Sequence, residues 1–234
     1  MRYLIVVMFY AAALSGCATA RPAAVPSQEL LAGEISFDAQ TGQIKYTLPE
    51  PALVRVRIGV RDGGALLRNL LDWEYRGAGA HVETWDKKDA SGQVDLGAHQ
   101  DLMLNLSCLP ADPQKRRAYK GTIKGFRKAP RLKISFPAAT KRAAQDVAVV
   151  SGVVPVRVAI DPEDNRWLVE TKYEMGIFID SVFLAEDEEG IDPYNYQLNT
   201  KGLNDGVHII TVNVVGYEGE VGTESVPVVI SNEQ

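Results

Sequence analysis

The stretch "LVRVRIGV", residues 53–60, sets Val54, Val56, Ile58 and Val60 against Arg55 and Arg57. A helix would scatter these apolar residues around its circumference, whereas a strand puts them all on one face. The same period of two runs through "QIKYTL" (Ile44, Tyr46, Leu48), "RLKISFP" (Leu132, Ile134, Phe136) and "DGVHIITVNVVGY". Gly- and Asp-bearing turns such as "RDGG", "DASG" and "LNDG" separate the alternating stretches. Helical periodicity is scarce; "TKRAAQDVAV" alone reads as either a short helix or an edge connection. About seven strands fall on each side of the charged, proline-bearing "RKAPR", a number that suits a sandwich. The expected fold is all-β: two tandem antiparallel β-sandwiches over 34–127 and 128–234. "RAYKGTIKGF" is expected to supply the last strand of the first unit.

The N-terminal segment follows other rules. A short positive start precedes "LIVVMFYAAAL", an apolar run too short to span a bilayer as a helix. Leu14-Ser15-Gly16-Cys17 follows, and the sequence resembles the bacterial lipobox, where the chain is cut before the cysteine and the thiol is acylated. The resemblance implies a signal peptide over 1–16 and lipidated Cys17, with Ala18 favouring the outer membrane, periplasmic or surface-facing. Residues 17–33, "CATARPAAVPSQELLAG", lack apolar patterning and read as a flexible tether. Cys108 then has no partner within the chain for a disulfide and reads as a small buried hydrophobe.

The two sandwich units also resemble known families. "YTLPEPALVRVRIGVRDGGALLRNLL" and "GAGAHVETWDKKDASGQVDLG" resemble the Ig-like domain of the flagellar hook-capping protein type. Leu48-Pro49, Gly63-Gly64, Trp85-Asp86 and Asp89 with Gly92 carry that likeness, while Lys87 stands where a glycine is usual. "VSGVVPVRVAI", "YEMGIFIDSVFLAE" and "LNDGVHIITVNVVGYEGEVG" resemble bacterial Ig-like repeats. Both resemblances imply an Ig-like fold and leave the function open.

Asp86, Asp89 and Asp95 raise the question of a cation site. An EF-hand loop counted from Asp86 would place Lys88, Ala90 and Gly97 at ligand positions, so the spacing fails. A turn explains them better, with Asp86 and Asp89 accepting backbone N–H bonds and Gly92 supplying positive φ. The stronger calcium candidates are Asp161 and Asp164 in "IDPEDN", with Glu186 and Glu188 in "AEDEEG". The alternative for both is a solvated acidic loop.

Charge is sharply partitioned. Residues 109–142 carry 11 basic and 1 acidic side chains, whereas 143–234 carry 4 basic and 17 acidic. Arg116, Arg117, Lys120, Lys124 and Arg127 lie in the basic stretch. They would meet lipid phosphate, anionic polysaccharide or an acidic protein face, or they would pair internally with the acidic second unit. An exported chain does not meet nucleic acid. Trp73 and Tyr75 in "DWEY" share one face of a strand and form either a sugar-stacking platform or a packed contact.

No nucleophile elbow, zinc-protease helix, phosphate loop or dinucleotide fingerprint occurs in the sequence. The expectation is therefore a non-catalytic envelope lipoprotein that acts as a protein-interaction or scaffold module, with another envelope protein as partner. The alternative is a binder of peptidoglycan or surface polysaccharide.

Overall fold

The structure is a computed structural model that describes residues 33–92, 94–97, 99, 101–117, 127–139, 141–217 and 219–232. Cys17, Lys120, Lys124 and the expected strand over 117–126 lie outside the described residues, apart from the backbone of Arg117. No helix among the described residues is long and apolar enough to cross a membrane.

The first sandwich faces two three-stranded sheets across one core. One sheet runs β1 (Gly33–Asp38), β2 (Gln43–Leu48), β5 (Gly79–Thr84) in that order. The other runs β4 (Leu66–Arg76), β3 (Ala52–Val60), β6 (Leu102–Pro110). The predicted alternation is literal: Val54, Val56 and Ile58 are fully buried beside Ile44, Tyr46, Leu48 and Leu104. A helical turn, α1 (Pro113–Arg117), follows β6.

The second sandwich packs a three-stranded sheet against a six-stranded one. The smaller sheet is β13 (Tyr194–Asn199), β10 (Val153–Ile160), β7 (Leu132–Ser135). The larger is β12 (Val182–Asp187), β11 (Tyr173–Ile179), β14 (Gly206–Gly216), β15 (Val221–Ile230), β9 (Ala148–Val150), β8 (Lys141–Arg142). Ile134, Val156, Val158, Met175, Ile177, Ile210, Val212 and Val228 form its core. All-β sandwiches are thus the fold class.

Two local features depart from the sequence reading, and a third settles an alternative it left open. The pairing of β15 with β9 is parallel, an exception among antiparallel ladders. "TKRAAQDVAV" forms β8, a 3-10 turn over 144–146 and β9, because pairing with β15 fixes its end as strand. "IDPEDN", read as calcium ligands or a solvated acidic loop, instead caps and begins a helix, α2 (Pro162–Thr171), that buries Leu168 in the core. Asp161 caps it by accepting from the Glu163 N–H, and Pro162 stands in its first turn, where a missing N–H costs nothing.

The "WDKKDASGQVDLG" segment is a compact turn. Trp85 is 1% exposed, and its indole N–H donates to the Lys88 carbonyl at 2.9 Å. Asp86 accepts from the Lys88 N–H, Asp89 from the Val94 N–H and the Ser91 hydroxyl, and Asp95 from the Gly97 N–H. Gly92 supplies φ 74°. Gly42 anchors the turn to β2: a Cβ there would lie 2.0 Å from the Trp85 carbonyl oxygen.

Candidate functional site at the seam between the sandwiches

The two units meet face to face. On β14 the core takes Ile210, Val212 and Val214, yet Thr211 and Asn213 on the opposite face are buried as well. They are covered by the first sandwich, whose core cluster also receives Phe178 of β11 and Ile209 of β14. Asn213 Oδ1 accepts from the Leu66 N–H at 2.8 Å, and its Nδ2 donates to the Leu66 carbonyl at 2.8 Å. Thr223 Oγ1 donates to that carbonyl at 2.7 Å, and His99 and Ser181 approach at 3.1 Å.

The outer face of β3 meets the β14–β15 hairpin. Arg55 Nη1 and Arg57 Nη2 donate to the Gly219 carbonyl at 2.8 and 2.9 Å, and Asn69 Nδ2 donates to the Val221 carbonyl at 2.7 Å. Burial lowers the pKa of both guanidinium groups, with Asp72 and Glu220 opposing the shift. Arg57, which also feels the charge of Arg55, is pushed down to about 9 and remains a cation at neutral pH. The two arginines that alternate with valines in the sequence are therefore docking groups, a role their period of two conceals.

Trp73 belongs to this seam. A bulge puts Asp72 and Trp73 opposite Arg55 alone, since Val54 pairs with Glu74 and Val56 with Leu71. Trp73 adopts φ 58°, and its half-buried ring lies 4.3 Å from the Arg55 guanidinium carbon. Tyr75 pairs with Leu53 and is 61% exposed. One member of the predicted aromatic pair is thus a contact within the seam and the other is free to meet solvent.

No known protein family matches the chain, and no curated protein matches it. Among solved structures, it is similar to the endo-β-1,4-mannanase from Thermotoga petrophila at 14% identity and TM-score 0.32, over 64% of this chain and 30% of that one. It is similar to the fibronectin(III)-like modules of Clostridium thermocellum CbhA at 15% and TM-score 0.30, over 44% of this chain and 100% of that one. A tetra-tandem repeat in the extending region of a large adhesion protein gives 14% and TM-score 0.31, over 87% and 48%. The chain therefore spans under a third of the mannanase and about half of the adhesion repeat.

The basic stretch is engaged locally where it is described. Arg116 Nη1 donates to the carbonyls of Pro110 and Ala111, and Lys115 pairs with Glu50. Arg127 stacks 4.8 Å over Trp167 of α2, and Lys128 pairs with Glu74 at 2.5 Å. Arg131, which the sequence did not single out, makes three ion pairs with acidic residues. It holds Asp161, Glu163 and Asp164 at 3.0, 3.1 and 2.9 Å.

The calcium candidates are thereby separated. Asp161 and Asp164 face Arg131, while Glu186 and Glu188 are exposed on either side of buried Asp187. Asp187 closes its own turn by accepting the Gly190 and Ile191 N–H groups. Among the described residues no group of three His, Cys, Asp or Glu is arranged to hold a metal ion. Cys108 is half-buried, and burial raises its thiol to about 11, which suits a packing role better than a reactive one.

Proposed function

We propose that the chain is a non-catalytic, lipid-anchored envelope protein that works as an interaction or scaffold module. The observation that carries this reading is the seam. Asn213, Thr223, Arg55 and Arg57 join the sandwiches through bonds to backbone groups of the opposite unit. Two sandwiches docked in this way hold their outer edges at a set spacing, which is what a scaffold offers a partner. Among the described residues β12 and β5 are edge strands, and exposed Val182 and Phe183 on β12 and Val82 on β5 are surfaces for addition of a partner strand. The anchor supporting this role is Cys17 in "LSGC". Outer-membrane placement rests on Ala18.

The test is cross-linking of the full chain in its own cells, followed by mass spectrometry of membranes. A single envelope protein recovered at near-equal amount supports the scaffold role. Recovery of the chain alone, from a Cys17→Ser form and the parent alike in the soluble fraction, removes both anchor and scaffold.

A further inference from the structure

Strand β12 lies at one end of the six-stranded sheet and, among the described residues, pairs only with β11. Its two halves differ. Val182 and Phe183 are 67% and 51% exposed, and the Phe183 ring meets Phe178 edge-on at 5.8 Å between centroids. Leu184 is the extra residue of a bulge and packs against the second core. Beyond it, exposed Glu186 lies opposite Gly176. Gly176 and Phe178 flank core-facing Ile177, so their partners Glu186 and Phe183 stand on one face of the sheet, a carboxylate beside an aromatic ring.

Charge along this edge is uncompensated. Residues 173–200 contain seven acidic side chains and no basic one. Asp180 is bonded to His208, and Asp187 and Asp192 accept backbone N–H groups. Exposed Glu186, Glu188 and Glu189 have no ion-pair partner among the described residues. Carboxylates elsewhere on the surface are matched, as in Arg131 with Asp164, Lys128 with Glu74 and Arg76 with Glu83.

Resting on the interaction-module reading, we infer that β12 is the docking edge and that its partner is an extended protein segment with basic residues followed by apolar ones. The open N–H and C=O groups of the edge supply main-chain bonds to an added strand, and the side chains choose which strand. Continuing the antiparallel order puts the segment's apolar residues beside Val182 and Phe183. Its lysines or arginines, nearer its N-terminus, then fall beside Glu186 and the acidic turn that follows. The bulge twists the edge, so main-chain pairing is short and charge carries much of the selectivity.

The same carboxylates reject other occupants. A second copy pairing through its own β12 would bring two sets of unpaired acids to one edge, and like charges side by side are destabilising. An anionic polysaccharide or a lipid phosphate surface meets the same repulsion. Charge on an edge strand guards against self-pairing, and here it leaves attraction for one sign of partner.

The experiment is binding of two capped peptides to the purified full chain, read by calorimetry and by hydrogen exchange of the β12 amides. One peptide alternates threonine and valine and carries two lysines in its N-terminal half; its twin has glutamates at those places. The lysine peptide should bind and slow exchange along β12, and the twin should bind at least about tenfold more weakly. Glu186→Lys, an exposed change that should melt with the parent, should abolish or reverse that preference. About 0.5 M salt should weaken the lysine peptide, since the charges involved are exposed. No binding of either peptide, equal binding of both, or an unaltered preference in Glu186→Lys overturns the proposal. Protection of β12 that grows with protein concentration in the absence of peptide overturns it in favour of a second copy. An envelope protein cross-linked elsewhere on the chain, with neither peptide bound, overturns it and leaves the scaffold reading standing. Lysine-selective binding with no protein recovered from cells supports the edge and counts against the scaffold reading alone.

Discussion

The Asn213 side-chain amide pairs with both backbone groups of Leu66, accepting from its N–H and donating to its carbonyl, each at 2.8 Å. A side chain of β14 here imitates a neighbouring strand and satisfies the end of β4. Open strand edges invite unwanted pairing, and this bond closes one while joining the two sandwiches.

Replacing Asn213 with Leu should leave the Leu66 N–H buried without a partner, since Thr223 can satisfy only the carbonyl. The expected loss is about 2–3 kcal/mol. Chemical denaturation should resolve two transitions in place of one as the units lose their shared bonds. A single unshifted transition would remove Asn213 from the seam.

Glu224 carries a carboxyl oxygen that is buried without a hydrogen-bond partner. Burial, and then the Asp89 charge, raise its pKa to about 7, against a bond from Ile134 and the charge of Lys133. The folded form holds its proton more tightly than the unfolded form, so this contribution is present at acidic pH and is lost as pH rises through about 7. Glu224→Gln should therefore raise the melting temperature at pH 8 and leave it nearly unchanged at pH 5. After allowance for partial exposure, the gain is about 1–2 kcal/mol. Equal effects at both pH values would contradict the assignment.

His208 faces an acceptor on each ring nitrogen, the Asp180 carboxylate at 2.6 Å and the Asn204 carbonyl at 2.9 Å. Burial alone would lower its pKa, but the bonds to Asp180 and Asn204 outweigh it and the net shift is upward. Its stabilising share is full at low pH and is lost as pH rises through the shifted value. Nuclear magnetic resonance titration should show His208 holding its proton above the ordinary histidine range, and Asp180→Asn should bring it back down. An unshifted titration in the parent would show that the imidazolium is not the bonded form.

Arg131 occupies the carboxylates of Asp161, Glu163 and Asp164. Millimolar calcium should therefore leave the melting temperature of the parent unchanged. Arg131→Ala should lower stability only slightly, since the guanidinium is exposed and its ion pairs are screened by solvent. A calcium-dependent rise in the parent would show that the ion displaces the guanidinium and would restore the acidic loop as a cation site.

Much of each strand was legible in the sequence because burial of one face leaves a period of two. That pattern placed β2, β3, β7, β10 and the core side of β14. The Asp-Gly spacing after Trp85 likewise carried the turn, since those side chains bond backbone a few residues away. Helix α2 was announced by Asp161-Pro162, a cap and a first-turn proline, but its acidic composition resembled a loop. The mate of β9 could not be read, because a three-residue strand has too short a pattern to specify pairing.

What the chain determined by itself is which residues turn inward within each sandwich, a choice made locally by hydrophobic burial along one strand. What only the tertiary structure decided is the second burial, of Asn213, Thr223, Arg55 and Arg57 against the opposite unit. Those side chains are polar by pattern, and their partners are backbone atoms more than a hundred residues away. Periodicity carries no record of such bonds, because a carbonyl or an N–H is offered by nearly every residue and only the docked geometry selects one.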